Sequence, residues 1–145
     1  MKVGDYVRYK KLIYHNQGVD DIRISKIKDI EDAIETGYNQ KFIFFENGNG
    51  EYEDRIIKSS PNIIDLFEEH DLVVIEYYSL RYNERVTRLF EVTFKDGEYI
   101  NLSNAKCEFM LVNGEFNKGD KELKPIIKSI VTHEQLSQME YKVDE

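Results

Sequence analysis

Tryptophan is absent from the 145 residues, cysteine occurs once and proline twice. A lone Cys107 excludes an internal disulfide and a cysteine-rich zinc site, and it fits a reducing compartment. The three histidines, His15, His70 and His133, lack the short spacings of a zinc-binding helix, so no metal is expected and exposed or capping roles are assigned to them. Long apolar runs are missing too. Stretches such as Leu72-Val73-Val74-Ile75 fall far short of the roughly 18 residues of a membrane span, and Met1-Lys2-Val3-Gly4-Asp5 lacks the apolar core of a signal peptide. A soluble, cytoplasmic protein with no membrane partner is expected. There is no phosphate loop, no Gly-x-Ser-x-Gly elbow and no dinucleotide fingerprint, so neither an enzyme nor a cofactor is expected. All eight glycines read as turn residues.

What is present suffices for a core. The chain is 41% hydrophobic and 33% charged, with ten Tyr and eight Phe, which argues for one folded domain over 1–145 with a weak subdivision near 58–66. The net charge of −8 is unevenly spread. Residues 1–28 hold seven bases and three acids, whereas 29–71 hold three and twelve. A dipolar surface disfavours nucleic acid as a partner, which requires a continuous positive field.

The local patterns are those of strands. Val3–Tyr9 alternates after a Gly-Asp turn, and Ile22–Ser25 and Lys41–Phe45 are rich in β-branched and aromatic residues. Asn47-Gly48-Asn49-Gly50 predicts a hairpin between Phe42–Glu46 and Glu51–Ile57. Asp29–Thr36 reads as a short helical turn ended by Gly37, and Pro61 marks a turn or one-turn helix. Leu72–Leu80 and Val86–Lys95 form the longest hairpin. Asp96-Gly97 gives a type I′ signal ahead of Glu98–Leu102, and Asn113-Gly114 gives the same signal between Cys107–Val112 and Glu115–Phe116. Only the end looks helical: Thr132 and Gln135 make a capping box after the strand Ile126–Val131. The fold class is therefore mainly β, an antiparallel small barrel or meander with a short C-terminal helix.

The segments Ile57-Lys58-Ser59-Ser60-Pro61-Asn62-Ile63-Ile64-Asp65-Leu66 and Ile127-Lys128-Ser129-Ile130-Val131-Thr132-His133-Glu134-Gln135 resemble small accessory proteins of Firmicutes phages and prophages. Such proteins carry an opening like Val3-Gly4-Asp5-Tyr6-Val7-Arg8 and usually a second Gly-Asp-Tyr-Val, which here reads His70-Asp71-Leu72-Val73. The resemblance implies an accessory protein in the host-cell cytoplasm. It brings in the anti-defence sponges that sequester nucleotide-derived immune signals, by analogy of context.

The long hairpin carries the candidate site. Turned across Asn83-Glu84, it places Val73 opposite Phe94, Ile75 opposite Val92 and Tyr77 opposite Phe90, an apolar face destined for the core. Towards the tip, Ser79 faces Arg88, Arg81 faces Val86 and Tyr82 faces Arg85. Tyr77, Tyr78, Arg81, Tyr82, Arg85 and Arg88 thus gather at one end, where arginine offers bidentate donors to phosphate and tyrosine a flat face to a base. The competing reading is a solvated tip whose arginines pair with the acidic 29–71 surface. Glu51, Glu53 and Asp54 are read as chance acids, with Glu51 and Glu53 on one strand face, and Cys107 as a core or incidental strand residue. The expected function is non-enzymatic sequestration of a small anionic, nucleotide-like ligand. The alternative is an acidic inhibitor or adaptor that binds a host protein, and pairing of exposed edge strands makes a homo-oligomer a further expectation.

Overall fold

A computed structural model describes residues 1–11, 21–32 and 40–139. The fold is mainly antiparallel β with a short C-terminal helix. Among the described residues no helix is long and apolar enough to cross a membrane. The chain divides into two compact units, the first comprising Met1–Leu66 and Glu134–Glu145 and the second Phe67–His133, so the boundary adjoins the 58–66 segment.

In the first unit, β1 (Tyr6–Lys11), β2 (Asp21–Asp32), β3 (Lys41–Phe45), β4 (Gly50–Tyr52) and β5 (Ile56–Ser60) form one sheet in the order β4-β3-β2-β1-β5. Val7, Tyr9, Ile27, Ile43 and Phe45 are its buried cluster, with the Tyr9 and Phe45 ring centroids 4.4 Å apart. The predicted helical turn over Asp29–Thr36 is corrected for its first half. Residues Asp29–Asp32 are strand, held by pairing with Phe44–Lys41, and the remainder with Gly37 lies outside the described residues. The predicted strand Glu51–Ile57 is broken by a 3-10 turn at Glu53–Arg55, so Glu51 and Glu53 share no strand face and β5 turns instead to β1. Pro61 precedes the expected single turn, a 3-10 turn at Ile63–Leu66, with Asn62 Oδ1 accepting from the Ile64 amide. Gly50 is no turn residue: it lies in β4 beneath the Phe42 ring, where any Cβ would strike that ring.

In the second unit, β6 (Leu72–Ser79), β7 (Glu84–Asp96), β8 (Tyr99–Ser103), β9 (Glu108–Val112) and β10 (Glu115–Phe116) run as a meander, and β11 (Ile126–Val131) adds beside β6. Val73, Ile75, Phe90, Val92, Leu102, Phe109 and Leu111 are buried on one face. A single helical turn, α1 (Lys118–Lys121), was not legible, although its cap follows rule: Asn117 Oδ1 accepts from the Asp120 amide. Helix α2 (His133–Met139) follows Thr132 as predicted. Asn113 and Gly114 both have positive φ, as type I′ demands. Gly97 has φ +52° but Glu98 is not in the positive region, and the closing pair is Asp96 with Tyr99. That loop therefore has the φ pattern of type II′, not the predicted I′.

The two units repeat one plan. At the first opening Lys2 N donates to Asp5 Oδ2 (3.1 Å), Asp5 N donates to Lys2 O (3.0 Å), and Gly4 has φ +92°. At the second, Glu68 N donates to Asp71 Oδ2 (2.9 Å), Asp71 N donates to Glu68 O (3.1 Å), and His70 has φ +75°. Asp5 O then accepts from Ile27 N, as Asp71 O accepts from Val92 N. The register matches as well, because Tyr6 pairs with Lys26 and Leu72 with Glu91. Both second strands carry a bulge at the same place, between Ile27 and Asp29 and between Val92 and Phe94. The last strands break register alike, between Arg8 and Tyr9 in β1 against β5 and between Ile127 and Ser129 in β11. Bulges are positional features that fix twist, so a shared set marks one unit used twice. His70-Asp71-Leu72-Val73 is thus the structural counterpart of Gly4-Asp5-Tyr6-Val7.

Candidate functional site

The β6–β7 hairpin is not in the predicted register. Val73 pairs with Phe90, Ile75 with Arg88, Tyr77 with Val86 and Ser79 with Glu84, a displacement of four residues along β7. An even shift leaves every side chain on its expected face, which is why alternation alone does not distinguish the two registers. The turn decides it. Leu80–Asn83 form a four-residue loop in which Asn83 takes φ +52°, a conformation asparagine tolerates. The Ser79 hydroxyl accepts from the Tyr82 amide (3.3 Å) and the Tyr78 hydroxyl donates to Asn83 Oδ1, closing the loop from both sides. Phe94 is a second correction: the bulge at Thr93 turns it out of the core row, and it is 47% exposed.

At this hairpin end the second unit has a concavity of about 270 Å³. Of the six predicted site residues, Tyr77, Tyr78, Arg81, Tyr82 and Arg88 line it. Arg85 does not. Its Nε lies 3.4 Å from Glu76 Oε2 and its Nη2 donates to the carbonyls of Glu76 (3.3 Å) and Lys124 (2.8 Å), so it clips the outer face of the hairpin to the segment before β11. The sequence reading missed the opposite wall, supplied by Asn104, Lys106 and Cys107 from the β8–β9 loop and by Leu123. Asn104 Oδ1 accepts from the Lys106 and Cys107 amides (2.9 Å each), a side-chain turn that sets this wall. The one available signal was the Asn104 turn chemistry, and it says nothing about the distant hairpin. Cys107 is half-buried in the lining, one residue ahead of β9, and so lies neither in the core nor on the strand where it was expected.

Tyr77 forms the floor. Its ring meets Phe109 and Phe90 edge-on, at centroid distances of 5.1 and 6.0 Å, which fixes its orientation. Burial pushes its phenol up to about 12, and the hydrogen bond with Cys107 Sγ at 3.4 Å adds to this, while the Arg88 guanidinium opposes it. Tyr77 is therefore a neutral hydroxyl at ordinary pH. At the rim, the Arg81 guanidinium stands 5.5 Å from the centroid of the Tyr82 ring.

Comparing the two units isolates what is special to this site. Arg23 pairs with Tyr9 as Arg88 pairs with Ile75, so the two arginines occupy equivalent positions. In the first unit Arg23 is ion-paired with Asp21, Nη2 to Oδ2 at 3.2 Å. The position equivalent to Asp21 is Val86, and Arg88 has no carboxylate partner among the described residues; its Nη1 donates only to the Thr87 carbonyl (2.9 Å). The lining holds three cations, Arg81, Arg88 and Lys106, and no carboxylate or histidine among the described residues. His70 and His133 lie elsewhere, beside Glu91 (3.7 Å) and Glu68 (3.1 Å) respectively, and His15 is outside the described residues. No protein-family model matches the chain, and comparison with curated proteins and with solved structures gives no match.

Proposed function

We propose that this chain is a non-enzymatic binding protein that sequesters a small, anionic, nucleotide-derived ligand in the concavity of its second unit. The observation that supports this reading is the charge of the lining. In a chain with a net charge of −8, three cations face one concavity with no carboxylate among the described lining residues, beside tyrosine rings that suit a planar group. The bulk charge would place acids there by chance, so their absence suits an anion. Ser79 and Cys107 share a lining that holds no histidine or carboxylate among the described residues, which favours binding over turnover. The phage resemblance of the 57–66 and 127–135 segments supplies the setting, in which removing a nucleotide-derived defence signal would serve the phage.

Native mass spectrometry of protein purified from cells, followed by calorimetry with cyclic nucleotides and ADP-ribose derivatives, tests the reading. The expected result is a retained or acquired nucleotide-sized mass. The double variant Arg81→Ala/Arg88→Ala should bind about 10²-fold more weakly or worse, since each charge-assisted contact is worth about 1.5–3 kcal/mol, with an unchanged melting transition. Equal binding by the double variant would overturn the site. A stable host-protein complex with no nucleotide uptake would favour the adaptor instead.

A further inference from the structure

We infer that the concavity takes one nucleotide by a terminal phosphate monoester and discriminates against the diester of a cyclic nucleotide, an inference that rests on reading the site as an anion pocket. Size comes first. At about 270 Å³ the space lies just below the roughly 300–1,000 Å³ of sites that enclose drug-sized ligands. It encloses a single nucleotide or less, and a molecule with two nucleosides would leave much of itself in solvent.

Charge comes second. A monoester carries close to two negative charges at neutral pH and three acceptor oxygens, whereas a diester carries one charge and two free oxygens. Three cations without a carboxylate among them match the former. The comparison between units sharpens the point. The same scaffold arginine is neutralised in the first unit by Asp21 and faces Val86 in the second, so a bound dianion would stand where the first unit keeps its own carboxylate. Tyr77 and Tyr82 then flank the sugar and base.

The charge of the ligand gives a readout that shape does not. The second proton of a phosphate monoester dissociates near pH 6. The groups facing it are Arg81 and Tyr82 of the loop, Arg88 of β7, Tyr77 and Tyr78 of β6, and Lys106 and Cys107 of the opposite wall. No histidine or carboxylate is among them, so between pH 5 and 7.5 the titrating proton is the ligand's own.

The experiment is calorimetry of the full chain at pH 7.5 and 5 with AMP, 3′,5′-cyclic AMP, ribose 5-phosphate and inorganic phosphate, on the wild type, Val86→Asp and Arg88→Ala. At pH 7.5 AMP should bind about tenfold or more tightly than cyclic AMP and ribose 5-phosphate, with the preference over cyclic AMP collapsing at pH 5. Val86→Asp, which recreates the ion pair of the first unit, should remove the preference, and Arg88→Ala should do so without adding a buried acid. Cyclic AMP binding as tightly as AMP, or AMP affinity unmoved by pH, would overturn the inference while leaving the anion-pocket reading in place. Inorganic phosphate binding as tightly as AMP would overturn the single-nucleotide part. If none of the four probes binds, the anion-pocket reading itself fails.

Discussion

Arg8 sits on β1 between two core residues, yet its side chain is only 1% exposed. Its Nη1 donates to the Leu66 carbonyl (3.1 Å), and its Nη2 lies 2.7 and 3.2 Å from the two oxygens of Glu134, a carboxylate 23% exposed. Glu134→Ala would remove a carboxylate that this buried guanidinium meets with both oxygens. Breaking a buried pair from one side costs about 3–5 kcal/mol. The Leu66 bond survives and the Glu134 position admits some water, which places the expected loss at the lower end, about 3 kcal/mol. Replacing both partners by apolar groups, Arg8→Met/Glu134→Leu, removes the buried charge together with its carboxylate, and the Leu66 carbonyl loses a donor, a cost of about 1–2 kcal/mol. The double variant should therefore be more stable than the single one. Urea unfolding followed by circular dichroism, with amide exchange of β1 as a local probe, measures the difference. A double variant no more stable than Glu134→Ala would refute the argument that the buried charge, and not lost contact, sets the cost.

Arg85→Ala should change nucleotide affinity by less than about twofold while lowering stability by about 1 kcal/mol, because Arg85 clips exposed backbone and does not face the concavity; calorimetry and urea unfolding read the two effects. In alkaline titration at 295 nm one tyrosine should ionise late, near pH 12, and vanish in Tyr77→Phe, whereas Cys107→Ala should move it only part of the way down, since burial is the larger cause. A phenol raised from 10.0 to about 12 by folding contributes stability that is complete below pH 10 and lost as pH rises through about 12, so wild type should lose more stability across that window than Tyr77→Phe. Gly50→Ala should cost about 1–3 kcal/mol by driving Phe42 off its strand, seen as a lowered melting temperature, and an unchanged transition would show that the ring moves freely.

Short-range chemistry made much of this protein legible from its sequence. Lys41–Phe45 and Ile126–Val131 are strands at the predicted limits because β-branched and aromatic residues leave few local alternatives. Asn113-Gly114 forms its type I′ turn because both residues tolerate positive φ. Five of the six site residues reach the concavity because they lie at or beside one hairpin tip, and sequence proximity carried them there. Tertiary structure alone decided the remainder. Two hairpin registers four residues apart keep the same alternation, and only the Asn83 loop and the bulge at Thr93 separate them. Arg8 meets Glu134 across 126 positions, and Lys106 and Cys107 complete the site from a different loop, contacts that no local propensity encodes. The repeat lies between these cases. His70-Asp71-Leu72-Val73 retains only part of Gly4-Asp5-Tyr6-Val7, because the plan is held by Asp71, a positive φ and a shared bulge, and these constrain backbone geometry far more tightly than side-chain identity.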